Sequence, residues 1–168
     1  KINYLLEENN MKNEIFIKDI PSYTIYYRDG MIEDFSKITE FVLQSGTECA
    51  KANPNLKCIT PDYCYISYLD GEYKENDIKI RYAQAVEKLG NETDNVKFMK
   101  SNPITAVCIY HKGAYNNLRD SYNIILKYIE DNGYEIIDNA RECYIDGCWN
   151  KENEEDYLTE IQFPVKKR

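Results

Sequence analysis

The sequence has little of what metal and redox sites require. Its 168 residues include one histidine and one tryptophan, and its six cysteines form no Cys-x-x-Cys pair. A structural zinc site needs four cysteine or histidine ligands at short spacings. We therefore expect free thiols in a reducing compartment, and no metal or cofactor site.

Long apolar segments and secretion signals are also missing from the sequence. A membrane-spanning helix needs about 20 consecutive apolar residues, and a signal peptide combines a basic start with a shorter apolar stretch. We therefore expect a cytoplasmic protein with no membrane partner. Because the chain begins at Lys1 rather than at a methionine, we interpret it as a fragment of a longer protein.

Negative charge and tyrosine are what the chain has in excess. It carries 29 acidic residues against 21 basic ones, a net charge of −8, together with 16 tyrosines. An acidic chain is poorly suited to binding nucleic-acid phosphates, so any contact with DNA would come from another domain. Tyrosine combines a large ring with a hydroxyl group and suits binding clefts as well as cores.

Hydrophobic spacing predicts an α+β fold. Apolar residues recur at helical spacing over residues 33–44 and 117–132. The other apolar runs predict strands over residues 14–20, 23–28, 63–68, 78–86, 105–110, 141–146 and 157–165. Residues 1–12 are predicted to form the last turns of a helix, either as a frayed tail or as the end of a linker or dimerisation helix, and they lead into one domain over residues 13–168.

The two halves of that domain resemble each other. The tripeptide Cys-Tyr-Ile occurs at residues 64–66 and again at 143–145, and similar elements surround both copies. We therefore predict two β-α-β-β units with antiparallel sheets, over about residues 13–90 and 101–168. The units should pack around a pseudo-twofold axis, with a ligand groove between them.

The strand around Glu142 carries the first candidate binding residues. Side chains alternate along a strand, so Glu142 and Tyr144 point to one side. Cys143 and Ile145 then point to the other side, which we expect to be the core. The last strand carries Glu160 on its polar side. We therefore expect Glu142, Tyr144 and Glu160 to face one shared cleft.

Aligning the repeats through Cys-Tyr-Ile adds residues from the first half to this cleft. Tyr63 then matches Glu142, and Tyr65 matches Tyr144, while Arg81 falls at the position of the second glutamate. An aromatic cleft around a carboxylate attracts a flat hydrophobic cation, because the rings attract its charge and the cation neutralises the buried acid.

Each glutamate also has a structural explanation. For Glu160 the alternative is an ion pair with Arg81, with the tyrosines as ordinary core residues. For Glu142 we favour ligand binding, because no matched basic residue faces it across the repeat.

The sequence offers no standard catalytic machinery. It contains no nucleophile elbow or triad, and its histidine, His111, lies beside a turn where we expect a surface position. A tyrosine and a glutamate that activate water, with Trp149 holding a substrate, are the alternative. We therefore assign no catalytic residue and favour binding over an enzymatic function.

Four segments of the second half resemble the GyrI-like small-molecule-binding domain family, which also forms the C-terminal effector domain of MerR-type and AraC-type regulators. These segments are residues 110–115, 132–134, 141–145 and 159–165. The resemblance implies paired β-α-β-β units with a central groove for hydrophobic cations. It also implies that Glu142 is the acidic contact and that Glu160 is a second carboxylate. One branch of the family hydrolyses toxic cyclopropane-bearing compounds.

Together these observations favour the ligand-sensing effector domain of a homodimeric transcription regulator, which reaches DNA through an N-terminal domain outside this sequence. Its expected ligand is a hydrophobic, cationic drug-like molecule. The aromatic walls of the groove are expected to be Tyr63, Tyr65, Tyr110, Tyr144 and Trp149. A stand-alone GyrI-like hydrolase or toxin-sequestering protein is the alternative, and a protein-interaction module with a flat surface is a third hypothesis.

Overall fold

The computed structural model describes residues 14–168 of the chain. These residues form nine strands and two α-helices, which confirms the predicted α+β class. They divide into a C-terminal unit, residues 14–20 and 104–168, and an N-terminal unit, residues 21–103. The helix predicted over residues 1–12 lies outside the described residues.

The C-terminal unit is an antiparallel sheet with one helix packed on it. Its elements are β1 (Ile15–Ile20), β6 (Ile104–Lys112), α2 (Leu118–Asp131), β7 (Tyr134–Ile136), β8 (Arg141–Asp146) and β9 (Leu158–Lys167). The strands lie in the order β1–β6–β9–β8, and the short β7 pairs with the end of β9. Strand β9 is therefore central, and its side chains reach both faces of the sheet.

The predicted apolar stripe of α2 forms the core of this unit. Ile125 and Ile129 of α2 are buried against Ile109, Ile161 and other apolar side chains of the sheet. Each such side chain contributes about 1.5–3 kcal/mol by leaving water. Gly133 follows the helix with φ of 71°, a left-handed conformation that glycine adopts without strain.

The N-terminal unit repeats this arrangement. Its elements are β2 (Thr24–Ile32), α1 (Ile38–Ala52), β3 (Cys64–Tyr68), β4 (Ile78–Ala85) and β5 (Lys97–Lys100). The strands lie in the order β3–β4–β2–β5, and α1 buries Phe41, Ser45 and Cys49. Both units thus contain the predicted β-α-β-β sequence of elements.

The outermost strands differ from the predicted repeat boundaries. Strand β1 pairs with β6, although β2 follows it directly in the chain, and β5 pairs with β2, although β6 follows it. Each of the two short connections contains a proline, Pro21 or Pro103, which restricts φ and disfavours a tight hairpin turn. Strand β1, which the prediction assigned to the first repeat, therefore joins the sheet of the C-terminal unit, and β5, which lies between the predicted repeats, joins that of the N-terminal unit.

Candidate functional site

Cross-strand register shows which side chains of the C-terminal unit face its helix. Glu142 on β8 lies opposite Ile161 on β9, and Tyr144 lies opposite Thr159. Directly opposed residues of antiparallel strands point to the same face. Because Ile161 belongs to the core beneath α2, Glu142 and Tyr144 also point toward the helix.

The second predicted acid, Glu160, lies on the other face of this sheet. It is opposed by Cys143 on β8 and by Tyr110 on β6. The prediction that Glu142 and Glu160 share one cleft is therefore wrong. The reason is that β8 pairs with β9 so that Glu142 meets Ile161, and successive residues of a strand alternate between faces.

The predicted core side of β8 is also wrong. Ile145 is 43% exposed, whereas Glu142 is only 3% exposed. Tyr144 pairs with Thr159, and Asp146 pairs with Leu158, the next residue on β9. Ile145 therefore has no partner on β9 and is the extra residue of a β-bulge. A bulge leaves its extra residue unpaired and re-aims the neighbouring side chains.

Two phenols hold the buried carboxylate of Glu142. Tyr144 donates its hydroxyl hydrogen to Oε1 at 2.7 Å, and Tyr122 of α2 donates to Oε2. Hydrogen bonds to a charged group contribute about 1.5–3 kcal/mol each, which offsets the cost of burial. Tyr122 lies on the apolar stripe of the helix predicted over residues 117–132, and this position is the sequence signal that its ring and hydroxyl face the sheet.

A second layer of rings borders this pair. Tyr115, in the 3-10 turn before α2, meets the Tyr144 ring edge-on at 5.6 Å and the Tyr157 ring at 5.4 Å. Burial, with the neighbouring Cys148, Tyr157 and Glu142, raises the pKa of Tyr115 to about 12. Tyr115 therefore remains a neutral ring close to the Glu142 carboxylate.

His111 is buried, contrary to the prediction of a surface position. Its Nδ1 atom lies 2.7 Å from the Ser121 hydroxyl, and its Nε2 atom lies 2.9 Å from the carbonyl oxygen of Ala114. Both ring nitrogens are thus occupied by groups at the start of α2. The histidine joins β6 to the helix end that carries Tyr122.

Glu160 forms its own cluster on the helix-free face. The Lys18 ammonium lies 2.7 Å from its carboxylate, and Gln162 donates a hydrogen bond to it. Burial lowers the pKa of Lys18, but the hydrogen bond and charge of Glu160 outweigh that effect and leave it raised. The Tyr110 ring, tilted against the Phe16 ring with 5.0 Å between centroids, lies beside this pair, and burial and Glu160 raise the pKa of Tyr110.

Arg81 is paired within the N-terminal unit. Its guanidinium group donates to both oxygens of Asp29, at 2.7 and 2.9 Å, and lies 4.4 Å from the centroid of the Tyr27 ring. The hydrogen bond to Asp29 raises the pKa of Arg81. The alternative ion pair between Glu160 and Arg81 is therefore not formed. Arg81 pairs with Asp29, and Glu160 pairs with Lys18.

Three aromatic residues of the N-terminal unit form a tyrosine stack. The Tyr63 ring lies 4.8 Å from the Tyr23 ring and 5.7 Å from the Tyr65 ring. Tyr65 is buried and Tyr63 is half-buried. Contacts of this kind contribute about 0.5–1.5 kcal/mol per ring pair.

The predicted alignment of the two repeats matches Tyr65 with Tyr144, but these two residues lie on different faces of their sheets. Gly30 lies against the Phe41 ring of α1, and Tyr68 shares its face of the sheet through β4. Tyr65, three residues earlier on β3, points to the opposite face. Because Tyr144 faces its helix and Tyr65 does not, the predicted match between the two strands is wrong.

Trp149 lies in the loop after β8 and is 59% exposed. Its ring packs on Gly147, where an added Cβ atom would overlap the ring. The loop therefore holds the indole by backbone contact while leaving most of its surface accessible.

Neither a membrane span nor a metal centre is present in residues 14–168. No helix there is both long and apolar enough to cross a bilayer. No three histidine, cysteine, aspartate or glutamate side chains of the same residues are arranged to hold a metal ion.

Comparison with known proteins agrees with this architecture. The model of the GyrI-like small-molecule-binding domain matches residues 14–166. The chain belongs to the GyrI-like family. No curated protein sequence shows significant similarity to it.

Solved structures of this family include similar domains. The crystal structure of the EcmrR C-terminal domain is 40% identical, with a TM-score of 0.87, over 92% of this chain and 98% of that chain. A cryo-EM structure of an EcmrR–DNA complex is 38% identical, with a TM-score of 0.87, over 99% of this chain and 64% of that chain. The present chain thus spans about two thirds of that EcmrR chain.

A more distant structure shows the same fold. SAV2435, bound to tetraphenylphosphonium, is 19% identical with a TM-score of 0.51, over 91% of this chain and 94% of that chain. Similarity at this level concerns the fold alone. GyrI-like membership therefore rests on the family model and on EcmrR.

Proposed function

We propose that this GyrI-like domain is the effector-binding domain of a MerR-type transcription regulator, and that it binds hydrophobic cations next to Glu142. One observation carries the proposal. The Glu142 carboxylate is buried, its oxygens are held by the hydroxyls of Tyr122 and Tyr144, and the half-exposed ring of Tyr115 borders it.

A buried acid and a poorly hydrated cation are suited to bind each other, because neither has to lose much hydration when they meet. The Tyr122 and Tyr144 hydroxyls donate hydrogen bonds to the Glu142 carboxylate, and such donors favour the charged form of an acid. A lipophilic cation loses little hydration when it enters this buried site. It also gains attraction to the faces of the neighbouring rings.

We propose Glu142, and not Glu160, as the acidic contact. The Glu160 carboxylate already has the Lys18 ammonium at 2.7 Å, which a ligand would have to displace. Tyr144 and Trp149 are proposed as aromatic contacts, together with Tyr115, which the sequence analysis did not single out. Tyr63, Tyr65 and Tyr110 point to the helix-free faces of their sheets, so their contribution to ligand binding stays a prediction.

The regulatory part of the proposal comes from the EcmrR similarity. The EcmrR chain that is similar to this one is bound to DNA, and this chain corresponds to 64% of it. We propose that DNA contact and dimer formation belong to the remaining part of the regulator. Ligand binding would then shift the population between two arrangements of the dimer on DNA.

Glu142→Gln is the test of the acidic contact. The amide keeps the shape of the side chain and removes its charge, so we expect affinity for tetraphenylphosphonium or rhodamine to fall at least about tenfold. Isothermal titration calorimetry gives the affinities. Thermal stabilisation is the second measurement, because a ligand at about 100 times its dissociation constant adds about 2.7 kcal/mol to the free energy of unfolding.

Two matched variants control for loss of charge elsewhere. Glu135→Gln removes an exposed carboxylate that pairs with Lys166, and Glu160→Gln removes the other buried acid. Both variants should bind cations as the wild type does. Equal binding by Glu142→Gln and the wild type would contradict the proposed contact. No binding of either cation to the wild type would contradict the cation specificity and favour a neutral ligand.

A further inference from the structure

One hydroxyl group beside the Glu142 site has no protein partner. Thr159 is 0% exposed, and within residues 14–168 its Oγ1 atom is buried without a hydrogen bond. Nearly all buried polar groups in folded proteins are paired, and leaving one unpaired is unfavourable. The position of this hydroxyl therefore needs a chemical explanation.

Thr159 lies in the same cross-strand row as two residues of the site. His111 on β6 opposes it on one side, and Tyr144 on β8 opposes it on the other. The His111 ring nitrogens are occupied by Ser121 and Ala114. The neighbours on both sides of Thr159 thus already use their polar groups for other bonds, because Tyr144 donates its hydroxyl hydrogen to Glu142.

The Thr159 hydroxyl is also close to the carboxylate of the site. Glu142 opposes Ile161, two residues along β9 from Thr159 and on the same face. Diagonal neighbours of this kind are separated by about 7–8 Å between their Cα atoms. A single polar end group of a small molecule can therefore reach both the carboxylate and the hydroxyl oxygen.

We infer that Thr159 is a specificity-determining residue, whose hydroxyl oxygen accepts a hydrogen bond from an N–H group of the bound cation. The inference rests on the proposed function, because it places the cation at Glu142. It implies that, among hydrophobic cations, the site prefers those that carry N–H donors, such as protonated amines and amidinium-type dyes. A cation without N–H would meet the same charge and rings but would leave the Thr159 hydroxyl unpaired.

A pair of dyes separates hydrogen bonding from charge. Rhodamine methyl ester carries N–H on its xanthene amino groups, and tetramethylrhodamine methyl ester has the same charge and ring system without N–H. Thr159→Val replaces the hydroxyl with a methyl group of similar shape, and Thr159→Ser keeps the hydroxyl. Fluorescence anisotropy gives the affinity of each variant for each dye.

We expect Thr159→Val to weaken binding of the N–H dye about tenfold, the value of one hydrogen bond. Its affinity for the tetramethyl dye should stay within about twofold of wild type, and Thr159→Ser should bind both dyes as wild type does. The melting temperature of the unliganded Thr159→Val protein should not fall, because the variant removes an unpaired hydroxyl.

The same titrations separate this inference from the proposed function. An equal change in affinity for both dyes, or no change for either, would overturn the role of Thr159 while leaving the cation site intact. Glu142→Gln should lower the affinity for both dyes by the same factor. Wild-type protein that binds neither dye would contradict the cation site itself, and with it the inference about Thr159.

Discussion

Replacing Lys18 with methionine tests how the helix-free face of the C-terminal sheet is held together. Methionine preserves the apolar stem of the side chain and removes the ammonium group that lies 2.7 Å from Glu160. The Glu160 side chain is only 6% exposed, whereas that of Lys18 is 41% exposed. Lys18→Met therefore leaves a buried, uncompensated carboxylate, while Glu160→Gln leaves an ammonium group that can turn into water.

This asymmetry sets the expected magnitudes. Removing one partner of a fully buried ion pair costs about 3–5 kcal/mol, and an exposed pair contributes about 0–1 kcal/mol. Because Lys18 is partly solvated, we expect Lys18→Met to lower the free energy of unfolding by about 2 kcal/mol. Glu160→Gln should cost less than about 1 kcal/mol.

Urea unfolding followed by tyrosine and tryptophan fluorescence gives both values. In the wild type the raised pKa of Lys18 means that its contribution is complete below the ordinary lysine pKa. That contribution is lost as the pH rises through the raised value.

One result would contradict the proposed role of the Lys18–Glu160 pair. If Lys18→Met costs no more than Glu160→Gln, the desolvation of Glu160 is not what makes the pair important.

Two further predictions concern the helix-facing side. Tyr122→Phe removes one hydroxyl donor from the Glu142 carboxylate, so we expect urea unfolding to show a loss of about 1.5–3 kcal/mol. An unchanged unfolding free energy would show that Tyr122 does not stabilise the acid. Ile161→Ala truncates a fully buried core side chain opposite Glu142, and a loss of about 2–5 kcal/mol is expected from the cavity. A loss below 1 kcal/mol would mean that the core beneath α2 can collapse around the smaller residue.

Much of the fold could be predicted because it depends on local patterns. The helical spacing of Leu118, Tyr122, Ile125 and Ile129 predicted α2 and its buried stripe, and both are present. The repeated Cys-Tyr-Ile and the order of elements predicted two β-α-β-β units. Short strands such as β5 and β7 escaped the analysis, because runs of three or four residues carry too little periodicity to be recognised.

The candidate site was only partly predictable. Glu142 and Tyr144 were correctly placed on one side of β8, since alternation along a strand needs no knowledge of its neighbours. Tyr122 and Thr159 reach the same site from a different helix and strand, so no local pattern joins them to Glu142. Lys18, the partner of Glu160, comes from a strand more than a hundred residues away in the chain.

By itself the sequence determined both helices, the longer strands, the family and the two candidate acids, Glu142 and Glu160. Only the tertiary structure decided which face each acid occupies. Strand pairing places Glu142 opposite Ile161 beneath α2, and it places Glu160 among Lys18, Tyr110 and Gln162 on the other face. The physical reason is that a one-residue difference in register moves every side chain of a strand to the opposite face. That register is set by packing against neighbouring elements, which no single strand contains.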